Sequence, residues 1–128
     1  MKTTLFLNDY EGSTYDDVIN SIIIEYQVEK QEILKYHILI AQVCRDGYEE
    51  SSYFLLIRND GKIFENFGSH CSCFGFENQF EPKETDIAYL LSEHYDVGYC
   101  VKDRSKIRNF LCGLIRRIKI EQIKERIN

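Results

Sequence analysis

The sequence predicts one α+β domain: an N-terminal helix, a three-stranded antiparallel meander, and two C-terminal helices packed on one face of the sheet. Three observations point to it. The chain has 128 residues and 44% hydrophobic content, enough for one core and short of what two domains need. Apolar residues recur at helical spacing toward both ends. Between them, three strand-like runs are separated by turn signals, an order that places helices beside an antiparallel sheet.

Leu5 to Leu7 reads as a short strand and Asn8 to Gly12 as a polar turn. Ser13 or Thr14 then offers a helix N-cap, with Asp16 and Asp17 in the first turn, where the helix dipole favours carboxylates. From about Tyr15, the residues Val18, Ile19, Ile22, Ile23 and Tyr26 share one helical face, and a second helical stretch is expected from Glu29 to Leu34. Tyr36 to Cys44 contains the branched apolar run His37-Ile38-Leu39-Ile40-Ala41 and reads as a buried strand. Arg45-Asp46-Gly47-Tyr48 is the turn after it, and Ser52 to Arg58 is the next strand. Asn59-Asp60-Gly61-Lys62 reverses the chain into Ile63 to Phe67, because Asp-Gly accommodates the positive φ angles of hairpin turns.

After the sole proline, Pro82, Thr85 caps a helix carrying Ile87, Leu90 and Leu91. The last helix runs from about Ser105 to Arg126, with Ile107, Phe110, Leu111, Leu114, Ile118 and Ile123 as its apolar stripe. Both C-terminal helices are expected on the same sheet face. The other face would then be open and aromatic through Tyr48, Tyr53, Phe64 and Phe67, a surface suited to a homodimer.

Net charge is −5, and it is unevenly spread. From Val101 onward, nine basic residues face three acidic ones, a local +6 that leaves −11 on the rest of the chain. An acidic body of this kind suits a basic protein partner and repels phosphate, so nucleic acid is not expected as a ligand. The opening residues are too short and weakly apolar for a signal peptide, and no apolar run nears the roughly 18 residues of a membrane span. No membrane contact is expected, and the predicted location is the cytoplasm of a bacterial host. Five cysteines are an odd number for a disulfide framework, and in a reducing compartment free or metal-bound thiols are favoured over bridges.

The densest chemistry lies in Gly68-Ser69-His70-Cys71-Ser72-Cys73-Phe74-Gly75, directly after the third strand. His70, Cys71 and Cys73 form a candidate zinc set, since thiolate and imidazole are preferred zinc ligands. Their Cys-x-Cys spacing departs from the usual two-residue spacer, and a fourth ligand would have to come from Cys44, Cys100, Cys112 or His37. Cys71 or Cys73 could instead be a catalytic thiol, but neighbours along an extended chain point to opposite sides, which places His70 poorly as a base for Cys71. In the third reading the cluster holds a tight strand-to-helix loop, with the cysteines as small apolar side chains. His37 reads as a sheet residue and His94 as a favourable charge near a helix end. No cofactor other than zinc is indicated, and no phosphate loop, nucleotide fingerprint or hydrolase elbow is present.

The run Gly68 to Gly75, followed by Glu77-Asn78-Gln79-Phe80-Glu81-Pro82-Lys83-Glu84-Thr85, resembles a family of small bacteriophage and prophage proteins. Its members carry Gly-Ser-His-Cys-Ser-Cys-aromatic-Gly and then Gln-Trp-Glu-Pro-Glu-Glu-Thr. The likeness extends upstream through Gln42, Asp46-Gly47-Tyr48-Glu49 and Asp60-Gly61-Lys62, covering about Ile38 to Thr85. This chain has Phe80 where the family carries tryptophan and Lys83 where it carries an acid, and both terminal regions lie outside the likeness. The resemblance implies a mobile-element origin rather than a reaction. Together with the small size and acidic body, it leads to the expectation of a non-enzymatic protein that binds and inhibits a bacterial host protein. A defence nuclease complex is the expected target, as for an anti-CRISPR protein. The binding surface is then expected around the motif, at Tyr48, Glu49, Glu50, Phe76, Glu77, Phe80 and Glu81.

Overall fold

The computed structural model describes residues 4–46, 49–71, 75–92 and 104–127, with the side chains of 46, 104 and 117–127 left out. Tyr48, Cys73, His94 and Cys100 lie outside the described residues. The elements in chain order are β1 (Leu5–Asn8), α1 (Tyr15–Tyr26), α2 (Lys30–Ile33), β2 (Tyr36–Asp46), β3 (Glu49–Arg58), β4 (Ile63–His70), β5 (Lys83–Thr85), α3 (Ile87–Leu90) and α4 (Arg104–Ile127). The strands form one mixed sheet in the order β1-β2-β3-β4-β5. β1 runs parallel to β2, and every other pairing is antiparallel.

This architecture corrects the expected one. The sheet has five strands rather than three, the short strand read at Leu5 to Leu7 joins it as β1, and helices cover both faces rather than one. The physical reason lies in β2 and β3, where Ile38 to Val43 and Tyr53 to Leu56 are buried without interruption. A strand buried on both faces reads as a continuous apolar run, whereas a half-solvated one alternates. On one face Ile38, Ala41, Val43, Phe54, Leu56 and Phe64 pack under Val18, Ile19, Ile22 and Tyr26 of α1. On the other, Leu39, Ile40, Tyr53, Leu55 and Ile63 pack under Leu90 of α3 and Ile107, Leu111 and Leu114 of α4. Of the aromatics expected on an open face, Tyr53 and Phe64 are buried on opposite sides of the sheet, and Phe67 is half exposed.

Local signals fix the joints. Thr14 caps α1, its hydroxyl accepting from the Asp17 N–H at 3.1 Å. Gln27, with φ of 53°, ends the helix in the left-handed region. The β2–β3 register shifts between Ile38 and Ile40, so Leu39 and Ile40 both serve the second core. At that bulge the Ile38 N–H donates to the Tyr15 hydroxyl at 2.9 Å, which ties α1 to the sheet. Gly61, with φ of 85°, makes the β3–β4 reversal at Asp60-Gly61. At α3 the N-cap is Asp86, whose carboxylate accepts from the Tyr89 N–H at 2.7 Å; Thr85, expected in that role, belongs to β5.

Cysteine chemistry is also corrected at one position. Cys44 is disulfide-bonded, whereas Cys71 and Cys112 form no disulfide. A bonded Cys44 has no thiolate to offer a metal. Among the described residues, no helix is long and apolar enough to cross a membrane.

Candidate functional site

β5 pairs with Ile63 to Glu65, and among the described residues the outer edge of β4 from Asn66 to His70 has no strand neighbour. Exposed strand edges invite foreign pairing and are normally covered. Here the segment from Gly75 to Glu81 covers it as a strap, fastened largely by side chains. The buried Asn66 amide donates to the Gln79 carbonyl at 3.1 Å, and its oxygen accepts from the Glu81 N–H at 2.6 Å. The Gln79 side chain accepts from the Ser69 N–H at 2.7 Å and donates to the Gly75 carbonyl at 3.3 Å. The Glu77 carboxylate accepts from the Gly75 N–H at 2.9 Å. Two amide side chains thus do at this edge what a sixth strand would do with backbone.

The strap brings Phe76 into the first core. Phe76 is 2% exposed and stacks on Tyr26 at 4.9 Å between ring centres. The His70 ring meets it edge-on at 4.4 Å. Gly68 lies beneath, and its missing side chain is required: a Cβ there would stand 2.6 Å from Ser52 Oγ and 3.2 Å from both Gln79 Oε1 and the Phe76 ring. Phe80 is half-buried and packs edge-on to Tyr36 at 6.3 Å. The aromatic positions Phe76 and Phe80 are therefore fixed in the packing, and they offer little to a partner.

His70 links this core to a charged network. Its Nε2 is 2.7 Å from Glu50 Oε2 and its Nδ1 is 2.8 Å from the Cys71 carbonyl oxygen. Glu50 in turn pairs with Arg45 at 3.3 Å, and Arg45 also pairs with Asp9 at 3.0 Å and with Glu25. Burial works to lower the Arg45 pKa, and the bond to Glu25 with the charges of Glu25, Glu50 and Asp9 outweighs it, raising the guanidinium above its ordinary value. Glu25 accepts from Ser21, which lies 3.0 Å from the Tyr10 hydroxyl. Burial pushes that phenol up to about 12, so it remains a neutral hydroxyl at physiological pH.

This arrangement bears on both chemical readings of the cluster. A zinc-binding imidazole needs one free nitrogen, and a general base needs one facing its nucleophile. Glu50 and the Cys71 carbonyl stand against the two ring nitrogens of His70. Cys71 is exposed beside it in a shallow cleft of about 390 Å³ with Ser69, Gly75 and Glu77. Among the described residues, no three His, Cys, Asp or Glu side chains are grouped to hold a metal ion. The geometry does not bring His70, Cys71 and any third described donor to one point.

Of the expected binding residues, Glu49, Glu77 and Glu81 are exposed, Glu50 is tied into the Arg45 network, and Phe76 and Phe80 belong to the packing. Sequence reasoning did not single out a larger cavity beside β4, which shares Asn78 and Gln79 with that cleft. It has a volume of about 620 Å³ and is lined in part by Glu65, Phe67, Glu81, Glu84, Asp86 and Tyr89. Phe67 and Tyr89 are 51% and 45% exposed there, although most large apolar side chains of this fold are buried. A signal was present: Phe67 follows Glu65 on the same strand face, and Glu81, Glu84 and Asp86 share a segment with one basic residue, Lys83. No family model, curated protein or solved structure matches this chain.

Proposed function

We propose that the chain is a non-enzymatic binding protein of bacteriophage origin that docks on a basic surface of a bacterial host protein and inhibits it, a defence nuclease complex being the expected target. The observation that carries the reading is the surface around β4, the strap and β5. There, exposed carboxylates at Glu81, Glu84 and Asp86 line one cavity with two half-exposed aromatics, Phe67 and Tyr89, on a scaffold fastened by Asn66 and Gln79. Aromatic anchors with a charged rim are the usual anatomy of a docking surface, and carboxylates set on a rigid frame can occupy a groove built for phosphate. The contacts of His70 with Glu50 and the Cys71 carbonyl support a structural role for the histidine-cysteine motif.

The test is affinity capture of the purified full chain from bacterial lysate, followed by reconstitution with the recovered protein. One stoichiometric partner is expected, with affinity that falls as salt is raised and with its nuclease or nucleic-acid-binding activity reduced. Recovery of no protein beyond a tag-only control, or of a partner whose activity is unchanged in the complex, would remove the reading.

A further inference from the structure

We infer that the Asp60-Gly61 peptide at the β3–β4 reversal is a site of covalent modification, the spontaneous conversion of aspartate to isoaspartate, and that Arg58 holds the reaction off. The site is independent of the docking surface above.

The chemistry starts from the residue types. An aspartate followed by glycine sets a carboxyl beside a backbone amide that no side chain shields. When the Gly61 nitrogen attacks Asp60 Cγ, a C–N bond forms and a Cγ–O bond breaks. The oxygen leaves as water, carrying the proton of the carboxylic acid and that of the amide, and a succinimide ring closes. Water then opens the ring at either carbonyl. Addition at Cγ restores aspartate. Addition at the backbone carbonyl leaves isoaspartate, with the main chain routed through Cβ and a carboxylate on Cα. One water leaves and one enters, so no oxidant or cofactor is needed. Asn59, Asp60, Gly61 and Lys62 are all exposed, and a side-chain carbon on Gly61 would meet nothing within 4 Å.

Both reacting groups are held by one residue. The Arg58 guanidinium donates to Asp60 from Nη2 at 2.7 Å and from Nε at 3.1 Å, so each carboxylate oxygen is engaged, and the Lys62 N–H adds a bond at 3.2 Å. The Arg58 carbonyl accepts from the Gly61 N–H at 2.9 Å. Attack requires the nitrogen and Cγ to face one another at close range, and each is instead bonded to Arg58. The leaving oxygen must also be protonated. The same fork holds the Asp60 carboxyl down at about 2, which makes the neutral acid scarcer than in an ordinary aspartate. Arg58 is itself braced, its guanidinium 4.8 Å from the centre of the Phe64 ring. An isoaspartate would add a carbon to the main chain of the turn and move the carboxylate off Arg58. The guard therefore protects the β3–β4 register that begins at the Ile57–Ile63 pair.

The experiment incubates the full chain in isotope-labelled water at neutral pH, digests it in ordinary water, and reads the heavy oxygen gained by the peptide bearing Asp60. Each succinimide that hydrolyses takes up one labelled oxygen, whichever carbonyl is attacked. A capped Asn-Asp-Gly-Lys peptide in the same buffer supplies the reference rate. Wild type is expected to gain label more slowly than the same chain unfolded in urea. Arg58→Ala and Arg58→Gln should gain it about five- to tenfold faster than wild type, with far-ultraviolet circular dichroism unchanged; screening of this exposed pair keeps the factor moderate. Arg58→Gln keeps most of the side-chain stem over Phe64. Salt repeats the test without a substitution, since raised ionic strength should speed labelling of wild type relative to the reference peptide. Labelling at one rate in all three folded chains would overturn the inference, as would wild type reacting as fast folded as unfolded. Should both variants disturb the fold, a wild-type rate indifferent to salt would overturn it.

Discussion

Replacing Phe76 by alanine separates a packed strap from a surface contact. The ring is 2% exposed, is stacked on Tyr26, and receives the edge of His70. Truncating a buried phenylalanine costs about 3–5 kcal/mol, and the figure depends on how far the neighbours collapse into the space. Collapse is restricted here, because Gly68 has no side chain to move inward, and His70 is held by Glu50 and the Cys71 carbonyl. We therefore expect a loss of about 4 kcal/mol, a large share of the 5–15 kcal/mol that stabilises a typical domain. Urea unfolding followed by far-ultraviolet circular dichroism reads it directly. With a slope of about 2 kcal/mol per molar urea for a domain of this size, the midpoint should fall by about 2 M. The thermal midpoint should drop by about 10–20 °C. Phe80→Ala, at a half-buried position, should cost about 1–2 kcal/mol. A loss below about 1 kcal/mol at Phe76 would refute the argument, since the strap would then lie on the sheet without being locked into its core.

Three further outcomes follow from the same contacts. Gly68→Ala should cost about 1–3 kcal/mol through crowding, because the new Cβ would stand 2.6 Å from Ser52 Oγ; an unchanged urea midpoint would contradict the close approach. Arg45→Ala leaves Asp9, Glu25 and Glu50 facing one another, and at 40% side-chain exposure the expected loss is about 1–2 kcal/mol, shrinking when salt screens the repulsion. A loss insensitive to salt would assign the effect to packing instead. Asp60 accepts two hydrogen bonds from Arg58, at 2.7 and 3.1 Å, and this pairing holds its carboxyl down at about 2. A depressed carboxyl contributes stability above its unfolded value near 3.9, and that contribution is lost as pH falls toward about 2. An NMR titration of Asp60 should show the low midpoint, and Arg58→Ala should return it toward about 3.9; a midpoint unmoved by that substitution would contradict the pairing.

Local elements were more legible in the sequence than their assembly. The runs from Tyr36, Ser52 and Ile63 became β2, β3 and β4, and Asp60-Gly61 made the expected reversal, because branched apolar runs and a positive-φ turn act over a few residues. Thr14 acts as a cap for the same reason. β1 had been read as a strand, but its parallel partner lies beyond two helices, and no local pattern encodes that crossover. β5 is three polar residues, Lys83-Glu84-Thr85, held by position beside β4 rather than by apolar alternation. The uninterrupted apolar stretches of β2 and β3 carried the information that both faces are covered.

The candidate site divides along the same line. A histidine and cysteines within one short motif suggested chemistry, whereas the side-chain contacts of that histidine reach residues outside the motif. His70 meets Glu50 and Phe76, and Phe76 meets Tyr26. Nothing local in the sequence marks Asn66 and Gln79, whose side chains fasten the strap. The cavity beside it is assembled from β4, the strap, β5 and α3, a juxtaposition that appears only once β5 joins the sheet.

The central claim is that this chain acts by docking through its acidic and aromatic surface while the histidine-cysteine motif holds the scaffold. The most direct test measures the affinity of the reconstituted host complex for three chains: the wild type, Glu81→Lys, and a double variant with Cys71→Ser and Cys112→Ser. Charge reversal at Glu81 should weaken the complex at least about tenfold, and the cysteine double variant should bind as the wild type does. Full affinity after the Glu81 reversal, with loss on removing the thiols, would contradict the account.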